Sequence, residues 1–246
     1  MNSSWSAWPR RPLARVPDGH GATVLAERVR LLVSSGRDDG SPVDLDPICE
    51  AAGARVRAAR LSAAEGMREA LLVPLEGNRF GITVDPTPAG GWASIPAKLR
   101  ARVRRHRLRF RIGHELGHCF AYSRSGGRPK RHLLDSPAQE AFCDRFSRAL
   151  LVPEERAAAT TATVDGLLAL QESCDVSLQV AARALAEAQP DLTVELWFAD
   201  SGTTLRSQWS SERPEAATVT RVGSFAEADS SGARWLAERR QLVVVG

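Results

Sequence analysis

Two histidines and a glutamate stand close together near the middle of the 246-residue chain, as His114, Glu115 and His118 in the pattern His-Glu-x-x-His. Residues four apart lie on one face of an α-helix, about a turn from each other, so both imidazoles can bind one tetrahedral Zn²⁺. A carboxylate beside that pair can take a proton from a metal-bound water and later pass it to a leaving amine. The motif therefore predicts a metal-binding helix with Glu115 as general base. The alternative is an ordinary amphipathic helix with two histidines near its surface.

The residues around the motif favour the first interpretation. Ile112, Leu116, Cys119 and Phe120 have the spacing of a buried helical face. Gly117 leaves room for another element to approach closely. A half-buried helix whose metal pair faces inward is what a metallopeptidase requires.

A second segment, residues 136–153, offers the third ligand that a catalytic zinc site needs beside its water. Ser136 can cap a helix there, and Pro137 suits its first position. Glu140 and Asp144 are four apart and share a face of that helix. We predict Glu140 as the third metal ligand and Asp144 as the acceptor for the free N–H of a ligating histidine. A solvated helix carboxylate is the alternative for Glu140.

The runs RFRIGHELGHCFAYS and QEAFCDRFSRALLVP resemble the ImmA/IrrE family of zinc metallopeptidases. Its members typically show F-x-x-x-H-E-x-G-H and then a helix of the form Glu-x-x-x-Asn/Asp-x-Phe-Ala-x-x-Leu-Leu-x-Pro. The resemblance is strong over residues 107–153 and looser upstream, and none is seen beyond about residue 190. Matched residue by residue, it implies the same three metal ligands and the same base, with Asp144 at the Asn/Asp position.

The resemblance implies a zincin-like α+β core, made of a metal helix, a small twisted sheet and a helical hairpin, and an endopeptidase that cleaves one protein partner. Such enzymes commonly cut a helix-turn-helix transcriptional repressor and so switch on stress, mobile-element or defence genes. Two residues depart from the family pattern: Ser147 stands where Ala is usual, and Tyr122 where many members carry another His. Tyr122 and the loop residue His132 are candidates for stabilising the transition state.

The elements expected to hold the motif lie upstream of it. Helices are predicted at 22–35 and 44–52, and short strands at 55–60, 69–74 and 79–84. An edge strand of this sheet could bind an extended peptide through main-chain hydrogen bonds, while side-chain pockets select the peptide.

Downstream, helices are predicted at 165–174 and 177–188. They are expected to form a hairpin on the peptidase core, with a DNA-reading helix-turn-helix as the alternative. Strands are predicted at 192–199, 203–209, 217–222 and 241–245, with one short helix near 225–239. We therefore divide the chain into a flexible arm (1–20), a zinc metallopeptidase domain (21–190) and a β-rich module (191–246) that regulates or covers it.

The formal net charge is +4, and a dense basic run precedes the motif. This Arg-rich segment, 100–111, comprises Arg100, Arg102, Arg104, Arg105, Arg107, Arg109 and Arg111. Only two of the chain's 33 basic residues are lysines, a skew typical of GC-rich coding. A solvated or acid-paired helix face is the favoured interpretation, and contact with an anionic partner, whether acidic protein or nucleic acid, is the alternative.

Neither a secretory signal nor a membrane span is expected, because no long apolar run is present. The four cysteines lack CxxC spacing and indicate buried free thiols in a reducing cytoplasm. The sequence thus predicts a cytoplasmic zinc endopeptidase. The competing hypothesis is a DNA- or protein-binding regulator with a structural or vestigial zinc site, which the presence of Glu115 disfavours because a structural site has no use for a base.

Overall fold

The structure is a computed structural model of an α+β chain. It describes Trp8 and residues 12–33, 40–61, 69–86, 97–124, 127–133, 135–201, 204–211, 219–221, 233–236 and 241–245. The chain divides into two compact units, the first formed by Met1–Ser94 and Lys98–Pro153, the second by Ile95–Ala97 and Glu154–Gly246. Among the described residues, no helix combines the length and apolarity needed to cross a membrane.

The first unit combines helices with a small sheet. Its helices are α1 (Gly19–Val33), α2 (Asp46–Ala52), α3 (Ala97–His118) and α4 (Pro137–Leu151), and a 3₁₀ turn, Cys119–Ala121, follows α3. Its main strands are β1 (Ala54–Ala58), β2 (Ala70–Leu75) and β3 (Arg79–Val84), and a short pair is formed by β4 (Tyr122–Ser123) and β5 (Lys130–Arg131). The main sheet has the order β1-β3-β2, with β1 parallel and β2 antiparallel to β3.

Strand β3 occupies the centre of this sheet, and its side chains are the most buried of the three strands. Phe80 and Ile82 are fully buried. Strand β2 lies at an edge, a position that suits Pro74, since proline has no N–H to offer a second neighbouring strand. Gly77 and Asn78 connect β2 to β3 with φ angles of 72° and 58°, a left-handed conformation that these two residue types tolerate.

Helices α3 and α4 cross at short range because two glycines of α3 face small residues of α4. A Cβ at Gly117 would lie 3.0 Å from Cα of Cys143, and one at Gly113 would lie 2.5 Å from Oγ of Ser147. That hydroxyl donates to the carbonyl of Phe110 at 2.7 Å. Ser147 therefore adds a hydrogen bond between the two helices.

Trp8 is buried, although it lies in the segment 1–20 that is predicted to be a flexible arm. Its indole is 2% exposed and stacks on Phe120, with ring centroids 4.9 Å apart. The backbone N–H of Leu13 donates to the carbonyl of Phe120 at 3.1 Å. Trp8 is buried because the aromatic residues at the end of α3 offer its indole an apolar surface on which to pack. Trp5 lies outside the described residues.

The second unit contains the helices α5 (Glu154–Ala158), α6 (Val164–Cys174) and α7 (Leu178–Ala188). The hydroxyls of Thr163 and Ser177 cap α6 and α7. An antiparallel sheet of order β8-β7-β6-β10-β9 completes the unit. Its strands are β6 (Val194–Ser201), β7 (Thr204–Ser210), β8 (Val219–Arg221), β9 (Ala233–Leu236) and β10 (Gln241–Val245).

The structure of the second unit differs from two predictions made from the sequence. The helix predicted near 225–239 is wrong where the chain is described: residues 233–236 form strand β9, paired antiparallel with the apolar strand β10. This backbone pairing outweighs the local helix preference. Helices α6 and α7 share a compact unit with the strands that follow, so the units part at Pro153, whereas the predicted boundary lay near residue 190.

Candidate metal centre

The last turn of α3 and the first turn of α4 bring two imidazole nitrogens and one carboxylate to one point. His114 Nε2 and His118 Nε2 are 3.1 Å apart. Glu140 places Oε2 at 3.2 Å from His114 Nε2 and Oε1 at 3.5 Å from His118 Nε2. We call this arrangement the donor triangle. The histidine side chains are largely buried, 8% and 12% exposed, whereas that of Glu140 is 51% exposed.

The size of the donor triangle fits a tetrahedral divalent cation. Nitrogen and oxygen ligands about 2.0–2.1 Å from a tetrahedral zinc ion lie about 3.3 Å from one another. The three separations, 3.1, 3.2 and 3.5 Å, lie around that value. Two imidazoles and a carboxylate are also the ligand types that catalytic zinc sites use.

Two other groupings of ligand atoms occur among the described residues. Cys143 lies with the two histidines, and Asp135 with His118 and Glu140, each within 4.8 Å. Burial, followed by the charge of Glu140, raises the pKa of the Cys143 thiol, so this thiol is neutral in the metal-free chain. The Cys143 sulfur packs instead against the α3 backbone, 3.2 Å from where a Cβ of residue 117 would lie. Glu140 is therefore the better third ligand.

Asp144 lies behind His114, on the side away from the donor triangle. Its Oδ1 is 2.8 Å from His114 Nδ1, which places it to accept the Nδ1–H. Burial, the largest single influence, favours the neutral forms of both groups. The hydrogen bond and the surrounding charges together outweigh it, so that the pKa of His114 is raised and that of Asp144 lowered. The nearby charges of Arg111 and Arg148 further lower the pKa of Asp144. The pair therefore holds the His114 ring with Nε2 facing the triangle.

Glu115 and an open cavity adjoin the triangle. The cavity has a volume of about 290 Å³, and Glu115, which is 8% exposed, lines it together with both histidines. The start of edge strand β2, residues 70–72, forms another part of its lining. A carboxylate, a candidate metal centre and an edge strand therefore share one space.

The structure brings Tyr122 to this cavity but not His132. Tyr122 lines the cavity, is 7% exposed, and meets Phe80 edge to face at 5.3 Å. Burial raises the pKa of Tyr122, so its hydroxyl stays protonated and able to donate. His132 is exposed and is absent from the cavity lining, while its backbone N–H donates to the Ala121 carbonyl at 2.8 Å.

An ion-pair cluster beside the cavity was not anticipated from the sequence. Glu69, just before β2, accepts from Arg111 Nε at 3.0 Å and lies 3.7 Å from Arg107 Nη1. The two arginines are four apart on α3, so they share a face, but no local signal in the sequence pointed to Glu69 as their partner. Across the cavity, Arg131 stacks on Tyr122 at 5.7 Å. Part of the Arg-rich segment is thus acid-paired.

The fold and the site together define an α+β protein with a candidate centre for one divalent metal ion. The chain matches no protein-family model and no curated protein. The resemblance to the ImmA/IrrE family therefore depends on the two motif segments and on the residues that they contribute to the donor triangle.

Proposed function

We propose that this protein is a zinc endopeptidase with a zincin-like core. The observation that supports it best is the donor triangle of His114, His118 and Glu140, with Glu115 lining the same cavity. His114, His118 and Glu140 would hold a zinc ion, which would supply a Lewis acid for the scissile carbonyl and a bound water of lowered pKa. The competing hypothesis of a structural or vestigial zinc site does not explain why the Glu115 carboxylate lines the cavity.

The roles of the protein groups follow from their places in the cavity. Glu115 takes a proton from the attacking water and returns it to the leaving amine. The protonated hydroxyl of Tyr122 donates to the oxygen on which negative charge develops. Strand β2 binds the substrate backbone as an added strand, because it is an edge strand and its residues 70–72 line the cavity.

The substrate class is proposed from the resemblance. We infer that the partner is a transcriptional repressor of the helix-turn-helix type, cleaved in a stress, mobile-element or defence response. A cytoplasmic location fits this role. It is also supported by four buried free cysteines, which are typical of a reducing compartment.

Replacement of Glu115 by glutamine tests the mechanism. The amide preserves size but accepts no proton, so the variant should bind zinc like the parent and cleave about 10²–10⁴-fold more slowly. Zinc-loaded parent and variant are each incubated with the proteins that the inactive variant retains, and new peptide termini are identified by mass spectrometry. Glu154→Gln, at an exposed position that does not line the cavity, is the control. Equal yields of new termini from parent and Glu115→Gln refute the assigned base, and no new termini from the parent refute the endopeptidase.

One observation favours the competing regulator. Arg100, Arg104 and Arg105 are exposed on α3. Phosphate contacts of such a segment weaken steeply with salt. Affinity for duplex DNA measured at two salt concentrations, with parent and with all three arginines replaced by glutamine, distinguishes the two functions: a steep salt dependence that the variant loses supports a regulator.

A further inference from the structure

The residue before Glu140 in α4, Gln139, has a buried side chain although its helix neighbours are exposed. Gln139 is 2% exposed. Its amide nitrogen Nε2 lies 3.2 Å from His118 Nδ1, whereas His118 Nε2 belongs to the donor triangle. The Ser136 hydroxyl accepts the backbone N–H of Gln139 at 3.2 Å and fixes this first turn of α4. Gln139 therefore lies behind His118 as Asp144 lies behind His114.

The position of the ring proton decides what this contact does. A histidine that binds a metal through Nε2 carries its proton on Nδ1, which then needs an acceptor. In the structure the amide turns its nitrogen toward Nδ1 and leaves Gln139 Oε1 buried without a hydrogen-bond partner. A half-turn exchanges the nitrogen and oxygen of an amide, and their assignment follows from the hydrogen bonds available. With Oε1 toward His118, the ring proton gains an acceptor and the oxygen gains a donor.

We propose that Gln139 is a positioning residue for the metal centre. Its Oε1 accepts from Nδ1–H of His118 and thereby keeps the lone pair of Nε2 directed into the donor triangle. This inference rests on the zinc site proposed above. A neutral acceptor suits this place, because Glu115, Glu140 and Asp144 already supply carboxylates around the two rings. The amide orients the second ring without adding a further negative charge.

Two substitutions of Gln139 distinguish a role as hydrogen-bond acceptor from a role in packing alone. Gln139→Met keeps the length of the side chain and removes the acceptor, while Gln139→Glu keeps an acceptor of the same shape. Zinc affinity, measured by competition with a chromogenic chelator, should fall about 10- to 100-fold for Gln139→Met, the usual scale for losing a partner of a metal-binding histidine. Gln139→Glu should bind zinc more tightly than Gln139→Met, because it retains an acceptor for the ring proton of His118.

A matched control is available in the second unit. Gln171 is also 2% exposed, and its amide donates to the carbonyl of Val176 at 3.2 Å. Gln171→Met should lower the thermal midpoint of the metal-free protein without changing zinc affinity. In the zinc-loaded parent, ¹H–¹⁵N correlation spectra should place the ring proton of His118 on Nδ1.

The outcomes distinguish this inference from the proposed function. Zinc affinity of Gln139→Met equal to the parent overturns the inference. Tighter binding by Gln139→Met also overturns it, because the amide nitrogen would then have held His118 in the wrong tautomer. A parent that binds no zinc overturns both proposals. If zinc affinity depends on Gln139 but no protein is cleaved, the positioning role stands and the endopeptidase is refuted.

Discussion

Replacing Gly117 by alanine should push α4 away from α3 and weaken metal binding. The new Cβ would lie 3.0 Å from Cα of Cys143 and 3.2 Å from its Cβ and Sγ. Carbon atoms in ordinary contact are about 3.5–4.0 Å apart, so the helices must separate by a few tenths of an ångström. Since the nearest atom belongs to the backbone, a change of side-chain rotamer cannot relieve the contact. Glu140 lies one turn from Cys143 on α4 and would move away from both histidines.

Two opposing energies decide the effect of this substitution on stability. Overpacking costs about 1–3 kcal/mol. Alanine is favoured over glycine within a helix by about 1 kcal/mol. The free energy of unfolding of the metal-free protein should therefore fall by only about 0–2 kcal/mol. Zinc affinity should fall about 10-fold or more, as for the loss of a partner of a metal ligand, because the donor atoms themselves are displaced.

Urea unfolding of the metal-free protein and chelator competition for zinc measure the two quantities separately. Ala141→Gly, at an exposed position of α4, calibrates the helix preference: it should cost about 1 kcal/mol and leave zinc affinity unchanged. If Gly117→Ala is stabilised by about 1 kcal/mol and binds zinc like the parent, the spacing of the two helices does not set the donor triangle.

Three further outcomes are expected. Glu140→Ala should lose most bound zinc in elemental analysis, whereas Cys143→Ala should keep it; the reverse result would move the third ligand to the thiol. Trp8→Ala should lower the free energy of unfolding by about 3–5 kcal/mol in urea titrations, because the indole packs on the aromatic end of α3, and a change near zero would leave Trp8 without a structural role. Burial raises the pKa of Cys49 and Cys119 from 9.0 to about 12, so the neutral thiols stabilise the fold below pH 9 and this contribution is lost as the pH rises toward 12. Unfolding measured across that range should show the fall, and a flat profile would contradict it.

Local patterns in the sequence predicted the α+β class and most elements of the fold. The three strands of the first sheet and the helices α6 and α7 lie within about two residues of their expected limits. Their signals are caps, glycines and apolar spacing, which neighbouring residues carry. Glu140 is predicted as the third ligand because a catalytic zinc ion needs one more than the two histidines supply, whereas helical spacing indicates only which side chains of one helix share a face.

The failures involve contacts between distant segments. Trp8 lies in a stretch without periodicity, and its position depends on stacking with the ring of Phe120, which is distant in the sequence. Residues 233–236 form a strand because β10 pairs with them. Gln139 carried no signal of its own, since a glutamine at the start of a helix is usually solvated, and its burial follows from the proximity of His118.

The close crossing of α3 and α4 links metal binding to folding. One helix supplies both imidazoles, and the other supplies Glu140 together with Gln139 and Asp144 behind the rings, so the donors converge only after the helices have docked. An ion that binds the docked state alone stabilises it by RT ln(1 + [L]/Kd), about 2.7 kcal/mol at a free concentration of 100 Kd. Bound zinc would thus hold the two helices together. The resistance of the first unit to proteolysis would then increase with the concentration of free zinc.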